Sequence, residues 1–123
     1  MERLKKHHIS FKNAWAGVIW ALISQPNFAV HLILSFVASL VGAYVELTPI
    51  EWVLLVFTIF WGLTIEMANT AIEAVTDLVT HEWRKEAKIA KDVAAGMMLL
   101  MAMGATIVAM LLLLPKLILK WGL

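Results

Sequence analysis

Residues 93–114 read VAAGMMLLMAMGATIVAMLLLL, a run of 22 residues without a charged side chain. At about 1.5 Å per residue, a helix of this length covers about 33 Å, which is close to the thickness of a bilayer's hydrocarbon core. Gly96 and Gly104 lie within the run, and such small residues allow membrane helices to pack closely. The sequence therefore predicts a membrane-spanning helix over 93–114, which we expect to stop at Pro115.

The composition extends this interpretation to the whole chain. Apolar residues make up 62% of the 123 residues and charged residues 15%, and the net charge is +1. In soluble domains apolar residues make up about 45–50% and charged residues about 25%. A globular domain of this size has too little interior to bury so much apolar surface. The small net charge argues against general nucleic-acid binding. The absence of cysteine excludes disulfides and thiolate metal sites.

Two further apolar runs precede the first one described. Residues 28–45 cover about 27 Å as a helix, close to a full span. The next run begins at Trp52 and meets its first charge at Glu66, after about 21 Å, which is too short to cross alone. We therefore expect a span over about 50–72 that carries Glu66 into the edge of the membrane.

The N-terminal part of the chain is amphipathic. Residues 10–24 are rich in tryptophan and aliphatic side chains, which favour the membrane–water interface, and Pro26 ends the segment. We predict an all-α membrane protein in which three transmembrane helices follow an N-terminal amphipathic interfacial helix. Residues 1–123 form one domain in this prediction.

Basic residues set the expected orientation. The N-terminal segment has four, Arg3, Lys5, Lys6 and Lys12, and the second loop has four, Arg84, Lys85, Lys88 and Lys91. The C-terminal end has Lys116 and Lys120, and the turn between the first two spans has none. Because basic loops stay on the cytoplasmic side, the N-terminus and the second loop are predicted to be cytoplasmic.

A stripe of polar residues marks the end of the second span. Its members share one helix face, because offsets of 3, 7 and 11 residues at about 100° each bring them within a narrow sector: Glu66, Asn69, Glu73 and Asp77. Asp77 alone could be a solvated helix end. Glu66 follows 14 uncharged residues, and a carboxylate inside a membrane is costly and usually functional. His31 is predicted to be a packed or interfacial histidine rather than a ligand.

The stripe leaves two classes of function open. A cation, a phosphate-bound metal or a transferable proton would compensate its charge, so the chain could be an enzyme or a small ion or proton carrier. A carrier is disfavoured because the acids occupy only one end of the span and no ionisable residue continues the path. The common phosphate-loop, dinucleotide, zinc-protease and serine-hydrolase motifs are absent from the sequence.

The stripe and its flanks resemble a known family. The segments EMANTAIEAVTD (66–77) and AKDVAAG (90–96) resemble those of the small bacterial diacylglycerol kinases. The segments FKNA (11–14), NFAVH (27–31) and AKIAKD (87–92) are similar to the Gram-positive branch, whose members act mainly as undecaprenol kinases. The similarity extends in order over nearly the whole chain.

The resemblance implies a homotrimeric, multi-pass protein of the bacterial plasma membrane, with active sites shared between neighbouring subunits. Such kinases transfer the γ-phosphoryl group of Mg²⁺-bound ATP to a lipid hydroxyl, here of undecaprenol or diacylglycerol, at the cytoplasmic interface. The resemblance implies that Glu66 is the general base and that Asn69 is its polar neighbour in the site. It implies that Glu73 is a metal-binding carboxylate and that Asp77 lies near the nucleotide. Lys91 and Asp92 are implied to hold the nucleotide and its phosphates.

The chain departs from the family pattern at several positions. Gln25 replaces a glutamate that joins the Glu73 equivalent on the metal, and Ala29 replaces an arginine. Ala16 and Ile19 occupy positions in the surface helix that are commonly basic. A glutamine can coordinate through its carbonyl, but it brings no charge. A catalytically weakened member that binds lipid or a partner as a trimer is therefore an alternative to an active lipid kinase.

Overall fold

Four helices make up the part of the chain that the structure, a computed structural model, describes: residues 2–122, with side chains from residue 10 onward. In chain order they are α1 (Glu2–Ser24), α2 (Pro26–Tyr44), α3 (Pro49–Val79) and α4 (Lys85–Trp121). Within these bounds no strand occurs. The predicted all-α fold is confirmed, since α2, α3 and α4 are each long and apolar enough to cross a membrane and α1 precedes them.

The helices extend further than the apolar runs that predicted them. α1 begins at Glu2 rather than near residue 10, α3 continues to Val79 rather than to 72, and α4 begins at Lys85 rather than at Val93. Hydropathy marks only the part of a helix suited to lipid, whereas the backbone keeps its helical hydrogen bonds where side chains become polar. The side chains of Arg3, Lys5 and Lys6, used above for orientation, lie outside the described residues.

The prediction that Pro115 ends the third span is wrong. The helix continues through Pro115 to Trp121 and ends at Gly122, which has the left-handed φ of 70° common at helix ends. Proline has no N–H for the carbonyl of Leu111, but membrane helices tolerate this loss where neighbouring groups compensate. Here the extra turns carry two lysines that bind the beginning of α3 and the turn before it.

Two ion pairs hold this end of the bundle together. Lys116 Nζ lies 2.7 Å from Glu51 Oε2, and Lys120 Nζ lies 2.9 Å from Glu46 Oε1. The hydrogen bond from Lys120 holds the pKa of Glu46, in the turn between α2 and α3, below its usual value. Thr48 N donates to Glu51 Oε2 at 2.6 Å, so the same carboxylate also caps the N-terminus of α3.

The buried apolar core lies beside these ion pairs. It consists of Val45, Leu47, Leu55 and Leu113, contributed by the α2–α3 turn, α3 and α4. The chain turns sharply here: Glu46 has φ of 59°, and Leu47 N donates to Gly42 O at 3.1 Å. α3 packs mainly against α4, and most of the large apolar side chains along the long helices are exposed on the single chain. The opposite end of α3 is where the polar stripe lies.

Candidate functional site

The length of α3 places the polar stripe at the far end of the membrane span. Glu66 lies 17 residues after Pro49, which corresponds to about 26 Å along the helix and thus to the far edge of a hydrocarbon core about 30 Å thick. Glu73 lies about 10 Å further along at the same rise per residue. The stripe therefore runs from apolar surroundings towards water.

Glu66 is the most deeply buried polar residue of the described chain, with 1% of its surface exposed. Neither of its carboxylate oxygens has a hydrogen-bond partner among the described residues. The basic side chain that lies within 4 Å of it is His31 of α2, whose Nε2 is 3.8 Å from Glu66 Oε2. An unpartnered carboxylate in apolar surroundings is unfavourable, so the position is suited to a ligand that donates a hydrogen bond.

Two neighbours of Glu66 repeat this pattern. Asn69 and Thr70 are buried, and the amide oxygen of Asn69 and the hydroxyl of Thr70 have no partner among the described residues. The Asn69 amide nitrogen does have one: Nδ2 donates to Glu73 Oε1 at 3.2 Å. Asn69 thus orients the carboxylate of Glu73, and both side chains occupy one face of α3 as the spacing predicted.

A charged residue of α4 contacts the stripe at Asp77, the end furthest from Glu66. Lys91 Nζ lies 2.6 Å from Asp77 Oδ1, and both side chains are about half-exposed. Asp92 lies elsewhere on the helix surface and pairs with Lys88 one turn earlier. Adjacent residues of a helix point about 100° apart, which explains why Lys91 and Asp92 have different partners within one chain.

Gln25 occupies the junction between α1 and α2. It is the N-cap residue of α2, its side chain makes no capping hydrogen bond, and it is partly buried. Ala29 lies one turn into α2 and is exposed. Neither position carries charge where the resembled family has a glutamate and an arginine.

The sequence reasoning missed two residues of this site. Thr70 lies four positions after Glu66, so it falls on the same helix face, but only charged and amide side chains were counted. His31, predicted to be a packed or interfacial histidine, lies beside Glu66. Its approach to Glu66 depends on how α2 packs against α3, and no spacing within the sequence encodes that.

An apolar groove of about 900 Å³ runs along α3 and α4. Its lining includes Ile65, the chain neighbour of Glu66, and on α4 it extends from Val93 to Val108. Gly96 and Gly104 lie in this surface, and a methyl group added at either would meet no other atom within 4 Å. The groove gives hydrocarbon a place to lie along α3 and α4, and Ile65 brings it to the level of Glu66 on α3.

Fold and site together define a small three-span membrane protein with a buried acidic site at one end of its second span. Residues 12–113 match the family model described as prokaryotic diacylglycerol kinase. This match covers more than half of the chain, and the chain belongs to the prokaryotic diacylglycerol kinase family.

The chain is also similar to individual bacterial lipid kinases. The chain is 40% identical over 111 residues to a diacylglycerol kinase of Synechocystis sp., an alignment that covers 89% of this chain and 63% of that protein. It thus spans less than two thirds of that relative's length. It is 35% identical over 114 residues to an undecaprenol kinase of Bacillus subtilis, with 93% of each chain covered. A diacylglycerol kinase of Escherichia coli K12 is 27% identical over 94 residues, or 76% of this chain and 77% of that protein.

Proposed function

We propose that the chain is an ATP-dependent lipid kinase, which phosphorylates the hydroxyl group of undecaprenol or diacylglycerol at the cytoplasmic interface of the membrane. The observation that carries this proposal is the buried carboxylate of Glu66, with two unpartnered oxygens at the membrane edge. A lipid hydroxyl is a hydrogen-bond donor attached to an apolar chain, so its hydroxyl suits the carboxylate and its apolar chain suits the groove along α3 and α4.

In the proposed reaction Glu66 acts as the general base. Its carboxylate accepts the proton of the lipid hydroxyl while the hydroxyl oxygen bonds to the γ-phosphorus of ATP, and the bond from that phosphorus to the leaving oxygen of ADP breaks. The unpartnered hydroxyl of Thr70 can donate to the oxygen of the lipid hydroxyl, and Asn69 orients Glu73 on the same helix face. Little other covalent chemistry is required, since phosphoryl transfer depends mostly on positioning and charge stabilisation.

The stripe also fits the magnesium ion that such a reaction requires. Glu73 offers the carboxylate oxygens that Mg²⁺ prefers, and the carbonyl of Gln25 is a weaker, uncharged second candidate. In proteins Mg²⁺ is usually bound through one or two carboxylates together with substrate phosphates. When bound, the ion neutralises charge on the phosphates.

Lys91 and Asp92 are proposed to bind the nucleotide, with Asp77 nearby. The ion pair between Lys91 and Asp77 is about half-exposed, so a phosphate arriving from water can replace Asp77 as the partner of the lysine. The proposed orientation puts this end of α3 and α4 on the cytoplasmic side, where ATP is available.

The test is phosphate transfer from Mg²⁺–ATP to undecaprenol and to dioleoylglycerol, assayed side by side in detergent micelles. Transfer to either lipid supports the proposal, and the preferred lipid identifies the substrate. We expect Glu66→Gln to abolish turnover with little loss of folding, because general-base catalysis contributes about 10²–10⁴-fold. Glu86→Gln, the same change on an exposed residue of α4, is the matched control and should keep its activity. More than about a tenth of the rate in Glu66→Gln would contradict the assigned role.

Gln25 supports a second candidate function, that of a catalytically weakened member which binds lipid or a partner as a trimer. Its side chain offers the site no negative charge where the resembled family has a carboxylate. If the site is weakened in this way, we expect Gln25→Glu to raise kcat/KM for Mg²⁺–ATP, because a carboxylate binds the ion more strongly than an amide. Gln25→Asn is the matched control. A chain that transfers phosphate rapidly, and gains nothing from Gln25→Glu, would contradict this second candidate.

A further inference from the structure

Glu66 faces one basic side chain among the described residues. That partner is His31, at 3.8 Å between Nε2 and Oε2, and no lysine or arginine of residues 10–122 pairs with this carboxylate. Glu73, the next acid along the stripe, accepts a hydrogen bond from the side-chain amide of Asn69. The two groups thus form an isolated acid–imidazole pair that joins α2 to α3.

The surroundings of His31 set it apart from a structural histidine. A cavity of about 390 Å³ lies between α2, α3 and α4, and His31 is the ionisable residue in its lining, which is otherwise aliphatic with a few hydroxyls and methionines. The His31 side chain is 24% exposed, whereas that of Glu66 is 1% exposed. Of the two side chains, that of His31 is therefore the one that reaches the surface of the chain.

The chemistry of imidazole suits this position better than a permanent cation would. A lysine or arginine beside Glu66 would keep the carboxylate paired at all times and weaken it as a base. A neutral imidazole leaves it free to accept a proton and can then take that proton itself, because its unprotonated ring nitrogen is a proton acceptor. The 3.8 Å gap is about 0.6 Å beyond ordinary hydrogen-bond length, and such bonds often tighten when substrate binds.

We propose that His31 is a positioning residue for the kinase reaction: it orients the Glu66 carboxylate and accepts from it the proton taken from the lipid hydroxyl. This inference rests on the function proposed above. The proton passes from the hydroxyl to Glu66 Oε2, then to His31 Nε2, and from there to water. While His31 holds the proton, Glu66 is again a carboxylate and is paired with a cationic imidazole.

The test compares His31→Ala and His31→Gln with Ser35→Ala, which alters a residue one turn further along α2 that lines the same cavity. Each protein is first checked for its helix content and its assembly in detergent. We expect both His31 variants to lower kcat about tenfold to hundredfold, with KM for lipid and ATP within about twofold. Imidazole added to His31→Ala should restore part of kcat, because the free base fits the space vacated by the side chain. Ser35→Ala should stay within about twofold of the unmodified protein.

Three outcomes would overturn the inference. The first is a His31→Gln protein that keeps more than a third of kcat. The second is a loss that imidazole does not restore in His31→Ala, and the third is an equal loss in Ser35→Ala, since both indicate packing rather than proton transfer. In each case an active unmodified protein leaves the proposed function standing. Absence of transfer by the unmodified protein would instead overturn the proposed function, and the role of His31 with it.

Discussion

Lys91 and Asp92 are adjacent in sequence but have different partners in the single chain. Lys91 joins α4 to the end of the stripe through Asp77, whereas Asp92 pairs with Lys88 on its own helix. Both were predicted to hold the nucleotide and its phosphates. The geometry gives Lys91 the more direct connection to the carboxylates of α3, because its ammonium group already lies on their face of the helix.

Lys91→Met therefore provides a test at the residue scale. The change keeps the apolar stem and removes the charge that is proposed to hold the phosphates. We expect kcat/KM for ATP to fall at least tenfold, since a charged hydrogen bond of about 1.5–3 kcal/mol is lost. Steady-state kinetics with varied ATP will measure it.

Lys85→Met is the control for Lys91→Met. Lys85 is an exposed residue in the first turn of the same helix, and its loss should change kcat/KM by less than twofold. Equal effects in the two variants would mean that Lys91 contributes only to the general charge of the loop, contrary to its proposed role.

At the scale of elements, α4 is held to α3 at both ends by ion pairs between helices. Lys91 and Asp77 form the pair near the candidate site, and Lys116 and Glu51 form the pair at the opposite end. The second pair exists because α4 continues beyond Pro115. The proline was predicted to end the helix, and instead the turns after it supply the lysines that fasten the α2–α3 turn.

Removing the distant pair should affect stability without affecting chemistry. Lys116→Gln breaks an ion pair whose two side chains are each about a quarter exposed, and we expect a small loss in the free energy of unfolding. Thermal unfolding in detergent will show this as a lower midpoint. Phosphate transfer at low temperature should be unchanged, because Glu51 lies about 22 Å along the helix from Glu66.

Lys120→Gln is the comparison for Lys116→Gln. Its partner Glu46 is largely exposed, so its loss should lower the midpoint less. If Lys116→Gln instead lowered kcat while leaving the midpoint unchanged, the two ends of the bundle would be coupled, and the purely structural role assigned to this pair would be wrong.

At the scale of the whole molecule, the single chain exposes much more apolar surface than its core buries. Large side chains are exposed along α2, α3 and α4, while the buried apolar cluster is confined to the end near the α2–α3 turn. Lipid can cover such surface, and so can further copies of the chain. The family resemblance favours the second for part of it, and we propose a homotrimer with sites shared between neighbours.

Mixing two impaired variants tests the shared site. If Glu66 and Lys91 of different subunits serve one site, Glu66→Gln and Lys91→Met chains assembled together should recover part of the activity that each lacks alone. Sites confined to single chains would yield no recovery on mixing, which would contradict the proposal. Cross-linking in detergent, with each variant alone, provides the accompanying measure of assembly size.

Much of the fold could be predicted from the sequence because lipid imposes simple conditions. Runs of uncharged residues near the length of a bilayer identified the three spans, and Pro26 marked the break between α1 and α2. Helix ends were predicted less well, because polar residues continue a helix beyond the membrane without changing its hydrogen bonds. The prediction that the helix ends at Pro115 was wrong because the hydrogen bond that the proline removes is outweighed by the packing and ion pairs of the following turns.

The sequence by itself determined the single-helix features of the candidate site. The face shared by Glu66, Asn69 and Glu73 follows from helical periodicity alone. Only the tertiary structure decided which groups meet across helices: His31 beside Glu66, Lys91 on Asp77, and Lys116 on Glu51. Such contacts depend on the rotation and depth at which helices pack, and these are set by many side chains acting together rather than by any local spacing.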